Sequence, residues 1–103
     1  MAEITALTES TYYILLSLHT PRHGYGIMQR TAELSGGRIR LAAGTLYGAL
    51  NAMVDKGWIA LLPGEGRKKE YKLTPKGLEI LKKELARLRE LVASGDMVLK
   101  EEA

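Results

Sequence analysis

Cysteine is absent from the 103-residue sequence, so neither a disulfide framework nor a thiolate metal site can hold the fold together. No run of apolar residues approaches the roughly 20 that a membrane-spanning helix needs. The apolar stretch that ends at Leu18 follows two acidic residues and no Lys or Arg, which is the wrong flank for a signal peptide. These absences predict a cytoplasmic protein with no membrane partner.

Residues that could form a catalytic or metal site are few and poorly placed. His19 and His23 have the spacing of a helical metal pair, but Pro21 lies between them and no third ligand is close in the sequence. The fragments GYG and GEG lack the other residues of a phosphate-binding glycine loop. Two pairs on the last predicted helix are interpreted as surface ion pairs: Glu79 with Lys83, and Glu84 with Arg87. We therefore expect no catalytic residue, no metal and no cofactor, and a protein that is not an enzyme.

The positive charge is concentrated in the middle of the chain. Residues 22–76 contain ten basic and four acidic residues, a net charge of +6, whereas the remaining residues carry a net charge of −3. This distribution favours a polyanionic partner for the middle segment and a different role for the C-terminal part. A solvated surface would give the same composition, so charge alone does not decide between the two interpretations.

Hydrophobic periodicity predicts three helices in the first half of the chain. The first begins at a Thr8 N-cap and ends before Pro21, and the second spans about residues 25–35, where two glycines stop it. The third spans about residues 43–56. Charged and apolar residues alternate in the segment RIRL, which predicts a short strand over residues 38–41.

A β-hairpin and a long final helix follow. WIALL and EYKLT are typical of two strands, and the turn between them carries a proline and two glycines. Thr74 and Pro75 provide the N-cap and first residue of a helix that we expect to end near Ala93. The sequence thus predicts a mainly α fold with a small β-hairpin (α+β), built as a winged helix-turn-helix and a long C-terminal dimerisation helix. The predicted units are the winged helix-turn-helix in residues 1–74, the dimerisation helix in residues 75–95 and a flexible tail in residues 96–103.

The third predicted helix, which we call the recognition helix, carries small and polar residues on the side away from its core stripe. That stripe consists of Leu46, Ala49, Leu50, Met53 and Val54. The residues that face outward are Gly44, Thr45, Gly48, Asn51 and Asp55, with Tyr47 at the margin. A surface without bulky side chains lets a helix approach phosphates and base edges of DNA, and hydroxyl groups on it can donate to phosphate. The alternative is that the glycines only allow close helix packing and that the tyrosine is a half-buried core residue.

The tip of the predicted hairpin, or wing, carries three basic residues in a row: Arg67, Lys68 and Lys69. Long cationic side chains there can follow a DNA backbone, although a solvated turn has the same composition. Tyr25 near the start of the second helix is a further candidate for a phosphate contact. Arg38 and Arg40 either extend the positive surface or keep a strand edge soluble. Together with the recognition helix, these residues predict a surface that binds double-stranded DNA.

The last helix has an apolar stripe that favours self-association. The stripe, which we call the dimer seam, has alternating spacings of three and four residues: Leu78, Leu81, Leu85, Leu88 and Val92. The alternative is a helix that packs only within its own subunit, for which one stripe suffices. A homodimer would place two recognition helices roughly 34–36 Å apart, the half-site spacing of a palindromic operator.

Six segments in this order resemble the PadR family of bacterial transcriptional regulators: LTESTYYILLSL, PRHGYGI, AGTLYGAL, KGWI, RKKEY and LTPKG. The resemblance covers roughly residues 5 to 93. It implies a winged-helix dimer, in most members a repressor, whose final helix pairs with its counterpart and with the partner's first helix, where we place Leu15. It also implies DNA contacts at five residues of this chain: Gly44, Thr45, Tyr47, Lys68 and Lys69.

The same resemblance bears on small-molecule effectors. Some family members release DNA when an aromatic compound binds, and one branch holds its ligand between tryptophans of the dimer helix. The last predicted helix here has no aromatic residue, so that mode is not expected, and no effector site is assigned beyond Trp58 as a candidate. We predict a sequence-specific DNA-binding regulator, a homodimeric repressor on a palindromic operator that a small molecule releases. The alternative is a winged-helix module that binds a protein, or that binds nucleic acid without sequence preference.

Overall fold

The computed structural model of the protein describes residues 6–64 and 69–100. In this part the chain forms four helices and a two-stranded antiparallel sheet: α1 (Glu9–Ser17), α2 (Gly24–Leu34), α3 (Ala43–Asp55), β1 (Ile59–Leu61), β2 (Tyr71–Leu73) and α4 (Pro75–Lys100). The predicted mainly α fold with a small β-hairpin is confirmed. No helix within these two ranges combines the length and apolar character that membrane crossing requires.

Three helices begin at a side chain that accepts a hydrogen bond from the backbone N–H three residues later. Thr8 Oγ1 does so for α1 (3.2 Å), His23 Nδ1 for α2 (3.2 Å) and Thr74 Oγ1 for α4 (3.0 Å). Each bond satisfies one of the backbone donors that a helix start leaves without a partner. The predicted helix starts at Thr8 and Thr74 are therefore confirmed, and His23 has the role of a helix cap.

One apolar core joins the helices to the sheet. Its buried members are Ile14, Leu15, Leu18, Ile27, Leu46, Leu50, Met53, Ile59, Tyr71 and Leu81. Trp58 is partly buried against this core, and the Lys56 ammonium lies 4.7 Å from the centre of the Trp58 ring. Trp58 is thus an anchor of the core at the start of the hairpin.

The strand predicted over residues 38–41 is wrong. The Ile39 N–H donates to Ser35 Oγ just after α2 (2.9 Å), so this segment is bonded to the preceding helix. The edge of β2 is instead paired with Arg22, through Arg22 N–H to Tyr71 O (3.1 Å) and Tyr71 N–H to Arg22 O (2.8 Å). Alternation is a local pattern, and it does not determine which segment of the chain supplies a partner for a strand edge.

The first turn of α4 packs directly on the backbone that precedes β1. Thr74 Oγ1 donates to the Gly57 carbonyl (2.6 Å), and the Thr74 N–H donates to the Trp58 carbonyl (3.0 Å). Gly77 is buried at this contact, and a Cβ added there would overlap the Trp58 carbonyl. The close approach of α4 to the hairpin therefore requires glycine at residue 77.

The predicted end of the last helix near Ala93 is also wrong, because α4 continues to Lys100. A glycine such as Gly95 destabilises the interior of a helix by only about 1 kcal/mol relative to alanine. Neither Ser94 nor Gly95 prevents the backbone hydrogen bonds of the helix, as a proline would. Residues 96–100, which were expected to form part of a flexible tail, are the last residues of α4. The helix thus extends well past the core.

Candidate nucleic-acid interface

α3 has one buried face and one open face. Leu46, Leu50 and Met53 are buried in the core, and Ala49 is partly buried against it. The residues predicted to face outward are all exposed: Gly44, Thr45, Gly48, Asn51 and Asp55. Val54 is exposed as well, so its assignment to the core stripe was wrong. The open face of α3 is thus wider than the sequence pattern indicated.

The two glycines of this face do not serve helix packing in the described chain. A Cβ added at Gly44 or at Gly48 would meet no atom within 4 Å. Their lack of a side chain leaves a shallow surface on the first two turns of α3, where a phosphate or base edge could come close to the backbone.

The N-terminus of α3 is electrostatically suited to an anion. In the part of the chain that the structure describes, Ala42 at the N-cap provides no side-chain hydrogen bond and the first turn holds no acidic residue. The first backbone N–H groups of a helix carry a partial positive charge and attract phosphate when nothing else satisfies them. This end of α3 therefore favours contact with a nucleic-acid backbone.

Tyr47 connects α3 to the start of α2. It is 44% exposed, and a Cβ added at Gly24 would lie only 2.8 Å from Tyr47 Cζ. Tyr47 is therefore neither a core residue nor a free surface residue, because its ring lies on Gly24 and its hydroxyl reaches the first turn of α2. The next residue, Tyr25, is 61% exposed. The structure thus places two of the predicted contact residues at the start of α2. The need for a small residue at Gly24 was not predicted, although the GYG segment marks the position.

Tyr71 of β2 lies near the same junction. Burial raises the pKa of Tyr71, and the nearby Tyr47 raises it further. Its hydroxyl therefore stays neutral at physiological pH and adds no negative charge beside a phosphate-binding surface.

The backbone pairing of the hairpin extends one step toward its tip. The Leu62 N–H donates to the Glu70 carbonyl (2.8 Å), which continues the hairpin beyond β1 and β2. Lys69 is exposed next to this pair. Two of the predicted wing residues, Arg67 and Lys68, lie outside the described residues, so the basic tip stays a prediction.

The two arginines that follow α2 have different surroundings. Arg38 forms an ion pair with Glu9 of α1, and both side chains are largely solvent-exposed. Arg40 is exposed, and one of its terminal nitrogens would lie 3.2 Å from a Cβ added at Gly37. With no strand at this place, the role of protecting a strand edge does not apply to either residue.

The dimer seam divides between the core and the surface. Leu81 belongs to the core of its own chain, and Leu78 and Leu88 are partly buried. Leu85 and Val92 are 37% and 62% exposed, and every described residue of α4 from 89 onward is exposed. Further large apolar side chains are exposed along this end of α4: Leu91, Met97, Val98 and Leu99. An apolar surface of this extent on a protruding helix favours association with another chain.

Leu15, which the resemblance placed in the dimer contact, is completely buried in the core of its own chain. It has no surface to offer a partner, so this assignment is wrong. The first helix was predicted to bury one stripe, and that stripe already lies against α2 and α4.

Glu84 was interpreted as half of a surface ion pair, and this is wrong as well. The residue is only 4% exposed, and its carboxylate accepts bonds from Arg87 Nε (2.6 Å), Arg87 Nη2 (2.8 Å) and the Leu7 N–H (3.1 Å). The Arg87 bonds lower the pKa of Glu84, burial opposes this, and the Leu7 bond lowers it further. The stabilisation from this carboxylate is therefore present above its unfolded-state pKa and is lost as the pH falls through its folded-state pKa. By contrast, Glu79 and Lys83 form the exposed pair that was predicted (3.1 Å).

Part of this chain is similar in sequence to a curated protein. A curated relative, an uncharacterized 37.1 kDa protein in a transposon of Streptomyces fradiae, is 41% identical over 64 residues, which are 62% of this chain and 18% of the relative. This chain thus spans about a fifth of the length of that relative.

Solved structures of similar fold include two transcription regulators. A PadR family regulator from Clostridium difficile has a TM-score of 0.75 and 24% identity, and the match covers 89% of this chain and 99% of that chain. A PadR-like transcription factor from Bacteroides fragilis has a TM-score of 0.70 and 26% identity, with 86% and 87% covered. The family model described as the transcriptional regulator PadR-like family matches residues 13–83 of this chain. This chain, a winged helix-turn-helix with a long C-terminal helix, belongs to the PadR-like family of transcriptional regulators.

Proposed function

We propose that this protein is a homodimer that binds a palindromic operator in double-stranded DNA and represses transcription. The observation that carries the proposal is the open face of α3, with two glycines that meet no neighbouring atom next to a helix start without a side-chain cap. In a winged helix-turn-helix, this helix enters the major groove and the wing follows the backbone. A dimer places two such helices roughly 34–36 Å apart, on successive turns of one side of the duplex.

The contact residues fall into two chemical groups. Thr45 and Asn51 lie on the open face of α3 and are proposed to contact base edges, since a hydroxyl and an amide can both read them. Backbone contacts are proposed for the first N–H groups of α3 and for six side chains: Tyr25, Arg40, Tyr47, Arg67, Lys68 and Lys69. Gly44 and Gly48 are proposed to provide the close approach rather than bonds.

Trp58 is not supported as an effector site. Its ring packs on the core, and the Lys56 ammonium lies over it at 4.7 Å. A planar ligand would have to displace that cation and part of the core contact. We propose that release by a small molecule uses a site other than Trp58.

The proposal is tested by titrating the protein against the DNA upstream of its own gene and against a scrambled duplex of equal composition, each at two salt concentrations. A sequence-specific regulator binds the upstream duplex at least about 1,000-fold more tightly than the scrambled one at physiological salt. Equal affinities would indicate nucleic-acid binding without sequence preference. Absence of binding to both duplexes would indicate a winged helix that binds protein.

Changing Gly48 to Ala separates DNA contact from stability. Alanine should raise the free energy of unfolding by about 0.5–1 kcal/mol, because it is the better helix former and the added Cβ meets nothing. The same Cβ should weaken operator binding by roughly tenfold, or about 1.4 kcal/mol, because it holds α3 away from the groove. Urea unfolding and fluorescence anisotropy measure the two effects. A variant that is more stable and binds with wild-type affinity would show that this face does not touch DNA.

A further inference from the structure

Glu84 is the only charged residue buried in the described ranges of the chain, and it lies on the helix that carries the dimer seam. Its two oxygens accept a bidentate pair of bonds from Arg87, one turn further along α4. A third bond comes from the Leu7 N–H, 77 positions away in sequence, just before α1. The carboxylate therefore joins the dimerisation helix to the segment that begins the winged-helix domain.

A buried carboxylate is a costly way to join α4 to the segment before α1. An apolar side chain of similar size would often give equal or greater stability, because removing a charge from water is expensive even when it is paired. An apolar contact, unlike a hydrogen bond, has no preferred direction. Leu81 packs on the core one turn earlier, and such a contact permits small rotations. The two Arg87 bonds lie within α4 and orient the Glu84 carboxylate, and the directional bond from the Leu7 N–H then fixes where that carboxylate meets the segment before α1.

We propose that Glu84 is a positioning residue that fixes the direction of α4 relative to the winged-helix domain, and thereby sets the half-site spacing that the dimer accepts. The inference rests on the proposed function, since it needs a dimer that binds two half-sites. α4 is 26 residues long, and at about 1.5 Å per residue its length is about 39 Å. A tilt of about 10° would move its far end by about 7 Å, or about two base-pair steps of 3.4 Å.

The test compares spacing preference between variants. The half-site sequence and the preferred spacer length are first identified by selection from a random duplex pool with the wild-type dimer. Three duplexes are then made, each with two copies of this half-site. Their central spacer has the preferred length, two base pairs more or two base pairs fewer. Dissociation constants are measured for these duplexes and for a single half-site. Glu84→Leu removes all three bonds, while Glu84→Gln keeps an acceptor for Leu7 and loses the charge. Glu79→Leu on the exposed side of the same helix is the matched control.

We expect the wild type and Glu79→Leu to prefer the best spacer by at least about 20-fold, since helical phase and distance both change with spacing. Glu84→Leu should lower that preference to below about threefold while the half-site affinity stays within about twofold, because α3 and the wing are unchanged. Glu84→Gln should give an intermediate spacing preference. If Glu84→Leu does not fold or dimerise, the spacing preference of Glu84→Gln tests the role of Glu84 instead.

The outcomes separate this inference from the proposed function. Spacing preference at the wild-type level in a folded, dimeric Glu84 variant would overturn the role of Glu84, as would a wild type that accepts all spacers equally. Failure of the wild type to distinguish any selected duplex from scrambled DNA would overturn the proposed function itself.

Discussion

Replacing Leu85 by Glu is expected to convert the proposed dimer into a monomer. Leu85 lies on the dimer seam and is 37% exposed in its own chain, so a glutamate there leaves the fold of the subunit intact. In a two-fold symmetric contact the substitution brings two carboxylates together in an apolar interface, where charge is costly to bury. Light scattering should change from twice the chain mass of 11.4 kDa to that mass itself.

Loss of the dimer should also remove most of the operator affinity. Binding of the second half-site is an intramolecular event only while the two subunits are joined, and this effect contributes about 100-fold or more to overall affinity. Ala86→Glu is the matched control, because residue 86 is exposed, adjacent to Leu85 and outside the seam. The control should remain dimeric and bind normally. A Leu85→Glu variant that is still dimeric would refute the dimer seam.

Local signals in the sequence were sufficient for most of the helices and for the open face of α3. Thr8 and Thr74 cap helices as predicted, because a cap bond spans three residues and depends on little else. Gly44 and Gly48 were also recognised as unusual, although only their empty surroundings in the structure decide between packing and an open surface. Features that depend on a few neighbouring residues can therefore be predicted from sequence.

Several of the errors arose where a residue has its partner far away in the chain. The alternation at residues 38–41 predicted a strand, but the position beside β2 is occupied by Arg22, which no local pattern marks. Periodicity placed Leu15 and Leu81 on apolar faces correctly, yet it does not determine whether a face meets its own core or another chain. Glu84 was assigned to the surface for the same reason, since its burial depends on an amide 77 positions away.

Replacing Lys68 and Lys69 together by Ala should weaken binding to every DNA sequence rather than to the operator alone. Each cation that contacts a phosphate adds about 0.9 to the slope of log affinity against log salt concentration, so the double variant should lose about 1.8 units of slope. The electrostatic contribution of these contacts vanishes at about 1 M salt. Over the tenfold change in concentration from there to 0.1 M, a slope difference of about 1.8 corresponds to about a 60-fold loss of affinity. The ratio of specific to scrambled affinity should stay unchanged, because phosphate contacts carry no sequence information.

The matched control for the wing removes the same charge from another surface. Lys82 and Lys83 are both exposed on α4 and are not among the predicted DNA-contact residues, and changing both to Ala also lowers the net charge by two. Net charge acts only weakly at a distance in physiological salt, where the Debye length is about 8 Å, so this control should lose less than about half a unit of slope. Anisotropy titrations between 0.05 and 0.3 M salt measure both slopes. If the two double variants lose equal slope, the wing does not lie on the DNA backbone, and α3 must be positioned without it.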